Sequence, residues 1–138
     1  MKIELGLCPC FSGLEYTACC KPFHDGSLPP TPLVLMRSRY AAYALGKADY
    51  IIHTTHPQSI YFEKDRKKWE KAILQFSKRT KFLRLTIDAS GDNWVSFTAY
   101  LEENGVGFTL KEKSQFQKVE GKWLYLSGEV SHEKSSST

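Results

Sequence analysis

Hydrophobic residues recur at helical spacing through the first half of the chain and alternate with polar ones through the second. Leu33, Met36, Tyr40, Tyr43 and Ala44 share one side of a helix that Thr31 can cap, Pro32 can start and Gly46 can end, so the pattern predicts a helix over 32–45. Asp49 offers a cap to a short second helix, Tyr50 to about Thr55, which must stop at His56-Pro57 because proline disfavours the α conformation in the residue before it. A third helix is predicted from Lys64 or Asp65 to Lys78, with Trp69, Ile73 and Phe76 as its buried stripe. After Thr80 the period falls to two. Leu83, Leu85 and Ile87 alternate with Arg84, Thr86 and Asp88, and Gly91-Asp92-Asn93 turns the chain into Trp94–Leu101, where Val95, Phe97 and Ala99 share a face. Asn104-Gly105 is a hairpin signal before a strand Phe108–Lys118, and Glu120-Gly121 turns into Lys122–Leu126. Helices followed by an antiparallel meander predict an α+β arrangement in which a curved sheet wraps round the first helix.

The first thirty residues do not join this pattern. Every cysteine of the chain lies there, as Cys8, Cys10, Cys19 and Cys20. A disulfide framework scatters its cysteines to staple distant segments, whereas two close pairs bring four soft ligands onto one ion. The spacing predicts a structural Zn2+ site, with His24 as the rival to Cys20 for the fourth position. Asp25-Gly26-Ser27-Leu28-Pro29-Pro30 has linker composition, which divides the chain into a knuckle over 1–27, a main domain over 28–130 and a serine-rich tail over 131–138 that is expected to be disordered.

Composition narrows the function classes. A chain of 138 residues has room for one cored domain and a small appendage. No apolar run approaches membrane-spanning length and Met1-Lys2-Ile3-Glu4 does not begin a signal peptide, so the expected compartment is the cytoplasm, where thiols stay reduced. The formal charge is +4; ionising four thiols subtracts four and a zinc dication restores two, leaving a weak overall case for nucleic acid. The distribution says more. Residues 64–79 hold seven Lys or Arg against Asp65 and Glu70, and Lys67, Lys68, Lys71 and Lys78 could meet phosphates, although a solvated helix face is the commoner meaning of such a run.

The strand Phe108–Lys118 carries polar residues where the alternation expects apolar ones. Period two puts Glu112 and Ser114 on the face of Phe108, Leu110 and Phe116, and a carboxylate there needs a partner or a cavity. Arg37 and Arg39 lie about 160° apart round the first helix, so at most one can enter the interior. The candidate pocket is one of these arginines with Tyr40, His56, Trp94, Glu112 and Ser114. Its plain reading is a structural Arg–Glu112 pair; its chemical one makes His56 a base that Glu112 orients. No Gly-rich phosphate loop, nucleophile elbow or HExxH pattern accompanies them, so an enzyme is the lesser expectation and no catalytic residue is assigned.

Cys8-x-Cys10, eight residues and Cys19-Cys20, with Pro9, Ser12 and Tyr16, resembles the SEC-C motif, the zinc knuckle at the C-terminus of the translocase ATPase SecA. Phe11 stands where that motif usually has Gly, and Leu14-Glu15 replaces its Lys pair, so binding of the SecA export partner does not carry over. The element order resembles the cone-shaped nuclear-transport-factor-two-like (NTF2-like, cystatin-like) fold. Met36-Arg37-Ser38-Arg39-Tyr40, Ala48-Asp49-Tyr50, His56-Pro57, Leu110-x-Glu112-x-Ser114-x-Phe116 and Gly121-x-Trp123-x-Tyr125-x-x-Gly128 resemble the YchJ family, in which a SEC-C knuckle precedes such a domain. The resemblance implies a fold and a zinc site held by Cys8, Cys10, Cys19 and Cys20, and no reaction. The combined expectation is a bacterial-type adaptor or binding module with a protein partner. The alternatives are a small-molecule enzyme or sensor using the cone, and a nucleic-acid or ribosome-associated factor using the basic helix.

Overall fold

The computed structural model describes residues 6–134. They form α1 (Lys21–His24), α2 (Pro32–Leu45), α3 (Ala48–His53), α4 (Arg66–Arg79), β1 (Thr80–Ser90), β2 (Trp94–Glu103), β3 (Val106–Val119) and β4 (Lys122–Lys134). α2 begins and ends as predicted. Thr31 Oγ1 accepts a hydrogen bond from the Val34 N–H at 3.2 Å, and Gly46 closes the helix in the left-handed region at φ 73°, where a side chain would be strained. α3 starts two residues earlier than expected, so Asp49 lies in its first turn instead of capping it. The Asp49 carboxylate accepts from Arg66 at 2.8 Å and ties α3 to α4. α4 is capped by Asp65, which accepts from the Lys68 N–H at 3.1 Å.

The strands form one antiparallel sheet in the order β1-β2-β3-β4, each joined to the next by a hairpin. Its inner face places Leu85, Val95, Phe97, Ala99, Leu101, Phe116 and Tyr125 against Leu35, Met36 and Tyr40 of α2. Leu83, expected on that face, is half exposed. The register shifts between Phe82 and Arg84, and this bulge turns Phe82 inward, edge-on to Tyr40 at 5.5 Å, in place of Leu83. A second bulge, where Gln115 pairs with Ser127 but Phe116 pairs with Tyr125, makes Leu126 an extra residue in β4. β4 also continues well past Leu126, pairing as far as Phe108 with Lys134, so the strand reaches into the segment expected to be a tail. Residues 1–5 of the knuckle and 135–138 of the tail lie outside the described residues.

α2 is enclosed on three sides, which a single apolar stripe does not capture. The sheet covers one side. Ala42 joins Ala48, Ile51, Ile52, Trp69 and Ile73 of α3 and α4 on another, and Ala41 packs against Cys8, Cys10 and Cys20 on the third. Small residues at Ser38, Ala41 and Ala42, all without measurable exposure, let these neighbours approach the helix axis closely.

Candidate metal centre

The cysteine segment is a short hairpin followed by a turn. The Cys8 N–H donates to the Leu14 carbonyl at 2.8 Å, Leu7 bridges Glu15, and Phe11 N–H donates to the Cys8 carbonyl at 3.1 Å. Phe11 takes φ 63°, the left-handed conformation that Gly adopts without strain, which accounts for the residue usual there. Its ring is held edge-on to Tyr40 at 6.3 Å. A 3-10 turn at Tyr16–Ala18 then brings Cys19 and Cys20 back, and Cys20 caps α1 through its carbonyl, 3.0 Å from the His24 N–H.

All four sulfurs lie within 4.8 Å of one another, with Cys10 to Cys19 at 3.6 Å and Cys19 to Cys20 at 3.9 Å. A tetrahedral ion with metal–sulfur distances of about 2.3 Å spaces its sulfurs about 3.8 Å apart, so the donor set fits a single metal ion. Cys8, Cys10 and Cys20 are buried and Cys19 is partly exposed, its sulfur 3.1 Å from Ser12 Oγ. Hydrogen bonds from the Cys20 and Cys8 thiols hold the Cys10 thiol far below its usual range, and the same bonds push Cys20 up and Cys8 to about 12. Four thiols this close ionise together only with a cation among them. Arg37 adds positive charge from α2: its Nη1 donates to the Cys10 carbonyl at 3.0 Å and lies 3.8 Å from the Cys10 sulfur.

The ring of His24 is occupied on both nitrogens. Nε2 donates to the Ser38 carbonyl at 2.8 Å, and Nδ1 accepts from the Tyr16 hydroxyl at 2.7 Å. Burial pulls the His24 pKa below its ordinary value and lifts that of Tyr16 to about 12, so the hydroxyl stays a donor. His24 thus pins α1 to α2, and the Cys20 sulfur, not this ring, joins the cluster.

The pocket expected under Tyr40 separates into three places. Arg37 is at the cysteines. Trp94 is on the outer face, because the alternation that turns Val95 inward turns its neighbour outward; the indole covers Gly91 and the Lys113 ammonium sits 4.6 Å above it. His56 is buried, but its Nδ1 accepts from the Gln58 N–H at 3.0 Å and its own N–H donates to the Tyr125 carbonyl at 2.8 Å, fastening the loop after α3 to β4 instead of meeting Glu112. Tyr40 donates to the Arg84 carbonyl at 3.1 Å and fills the core.

Arg39, Glu112 and Ser114 do meet the interior, without a direct Arg–Glu pair. The Arg39 guanidinium donates to the Ile51 carbonyl and to Thr54 and Thr55 Oγ1 at 2.8–3.2 Å, and lies 4.7 Å over the Tyr125 ring. Tyr125 in turn donates its hydroxyl to Glu112 Oε2 at 2.8 Å, and Ser114 Oγ donates to the same oxygen at 2.6 Å. Tyr125 therefore stands between cation and carboxylate, stacked on one and hydrogen-bonded to the other. Gly128 leaves room for them: a Cβ there would lie 2.7 Å from both Glu112 Cδ and Tyr125 Oη. Ser77 Oγ is the one buried side-chain polar atom without a partner among the described residues, so this interior network is satisfied by its own members. Sequence reasoning missed the roles of Tyr125 and Gly128. Their signal was the three-residue step between them, which a regular strand would not put on one face and the Leu126 bulge does.

Outside the interior, an open groove of about 540 Å³ runs between α1, the segment after it, α3, α4 and the start of β4, lined by Phe23, Leu28, Leu45, Tyr50, Leu74 and Trp123 among others. Lys67, Lys68, Lys71 and Lys78 are all exposed on α4. No helix of the described residues is long and apolar enough to cross a membrane.

Residues 31–128 match the family model described as the YchJ middle NTF2-like domain. A UPF0225 protein of Deinococcus radiodurans is 41% identical over 121 residues, covering 86% of this chain and 85% of that protein. Another from Serratia proteamaculans is 38% identical over 131 residues, 88% of this chain and 82% of the relative. Among solved structures, a SEC-C motif containing protein from Rhodopseudomonas palustris superposes with a TM-score of 0.73 at 33% identity, over 88% of this chain and 96% of its own. A sec-c motif containing protein from Psychrobacter arcticus gives 0.70 at 27%, over 99% and 88%.

Proposed function

The chain belongs to the YchJ-like family, and we propose that it is a binding module whose cysteine knuckle is fixed to an NTF2-like domain by one structural zinc ion. The observation that carries the reading is the convergence of four sulfurs, two of their separations at the spacing of tetrahedral edges, with no His, Asp or Glu grouped with them among the described residues. Cys8 and Cys10 would hold the ion from the hairpin, and Cys19 and Cys20 from the turn before α1. Zinc so bound supplies cross-linking and charge balance, not a site for water. Arg37 offsets the excess thiolate charge, while His24 and the Ala41 contact lock the loaded knuckle onto α2. The SEC-C wording in the names of both structural neighbours supports the same choice of metal.

The adaptor role rests on what surrounds the zinc. Arg39, Tyr125, Ser114 and Glu112 use one another inside the cone, and the groove whose walls come from α1, α3, α4 and β4 lies outside it. A protein partner that spans the groove would touch knuckle and domain together, so its binding would depend on the metal. Elemental analysis of the purified chain tests the centre: one zinc per chain is expected, lost in Cys20→Ala and kept in His24→Ala. Zinc retained by Cys20→Ala and lost in His24→Ala would refute the ligand set.

A further inference from the structure

We infer that the solvent face of α4 is a nucleic-acid-binding surface that engages the phosphate backbone through a row of lysines, Lys67, Lys71 and Lys78, flanked by Lys64 and Lys68. At 100° per residue the three central lysines fall within about 40° of arc, opposite the buried Trp69, Ile73 and Phe76 side, and the row extends about 16 Å along the helix axis. A nucleic-acid strand rises about 3.4 Å per nucleotide, so the row spans about five phosphates.

Three observations set this face apart from an ordinary solvated one. None of the five lysines has a side-chain partner among the described residues, whereas the neighbouring cations are engaged: Arg66 with Asp49, Arg79 with Glu103, Lys81 with Glu102 and Arg84 over Tyr100. The arrangement also works against the helix. The first turn carries Arg66, Lys67 and Lys68, where the helix dipole disfavours cations and only the Asp65 cap is acidic, and Lys67 and Lys71 are like charges at i, i+4. Finally, lysine is depleted at protein–protein interfaces and enriched where phosphates are bound, and the apolar side of α4 is already packed on its own domain and is not free to enter a bilayer. A dense, unpaired, self-repelling row of ammonium groups fits a polyanion with regularly spaced charge better than an acidic protein patch.

The test uses the full metal-loaded chain and labelled RNA and DNA of about 20 nucleotides, each single-stranded and duplex, followed by fluorescence anisotropy as salt rises from about 50 to about 200 mM. Three phosphate contacts predict that affinity falls about 40-fold over that range for a duplex and about 20-fold for a single strand, and that Lys67→Gln/Lys71→Gln/Lys78→Gln flattens the log–log salt slope by about 2.7 and about 2 respectively. A charge-matched control on the sheet, Lys111→Gln/Lys113→Gln/Lys118→Gln, should leave binding within about twofold. Binding of either nucleic acid with these responses upholds the surface, and the four probes identify which form it prefers. The proposal is overturned by no binding at the lowest salt, by equal losses in the two triple variants, or by tighter binding to anionic phospholipid vesicles than to any of the four probes. Melting curves matching the parent in both variants exclude misfolding as the cause.

Discussion

Replacing Gly128 by Ala should destabilise the protein in a strand where that change ordinarily helps. The Gly128 backbone is not in the left-handed region, so an alanine could adopt it, and relieving glycine's conformational freedom is normally worth about 0.5–1 kcal/mol. Here the new methyl would collide with the Glu112 carboxylate and the Tyr125 hydroxyl. The carboxylate must move, giving up its bonds from Ser114 at 2.6 Å and Tyr125 at 2.8 Å, and Ser114, 1% exposed, has no water to turn to. Hydrogen bonds to a charged group are worth about 1.5–3 kcal/mol each, and Glu112, only partly buried, recovers some of that in solvent. The net expectation is a loss of about 2–3 kcal/mol, read as a urea midpoint lower by about 1–2 M at fixed excess zinc. The same substitution in a Glu112→Ala/Tyr125→Phe background, where both the carboxylate and the hydroxyl are gone, should be neutral or stabilising, a coupling of about 2–3 kcal/mol. Equal costs of Gly128→Ala in the two backgrounds would refute the claim that this glycine exists to seat the carboxylate.

Other residues give sharper signs than sizes. Phe11→Ala keeps the strained φ of 63° and loses the ring contact with Tyr40, whereas Phe11→Gly loses only the contact, so thermal melts should rank Gly above Ala by about 1 kcal/mol. Arg39→Lys keeps the charge but cannot serve three oxygens while stacking on Tyr125, and should cost about 2 kcal/mol in the same urea titration. The buried His24 titrates below its ordinary value, so its neutral form belongs to the folded state and the unfolded chain binds the proton more readily. Its contribution is present above the unfolded pKa of about 6.5 and is lost as pH falls from there through the folded value; an NMR titration of the ring should give a midpoint below 6.5, and a midpoint above it would contradict the assigned bonds.

Much of this was written in the sequence, and the parts that were not share a cause. Helix ends were legible because Thr31, Pro32, Gly46 and Asp65 act on the backbone next to them, and the cysteine centre because its ligands lie close along the chain. The opposed placement of Arg37 and Arg39 followed from helix geometry alone; only the choice of Arg39 for the interior needed the fold. Trp94 was recoverable from its own pattern, since Val95 cannot face inward with it. Leu83 and Gly128 were not recoverable by counting, because a bulge resets strand parity at no visible cost in composition, whereas Tyr125 precedes its bulge and faces inward by regular pairing with Phe116. The Arg39–Glu112 link failed in a more instructive way. Pairing charges by sign predicts a salt bridge, but here the two charges are joined through an aromatic residue whose ring accepts the cation and whose hydroxyl reaches the anion. Such a residue reads as core in any hydrophobicity pattern. Its second role becomes visible only when the glycine three positions on is understood as the space its partner occupies.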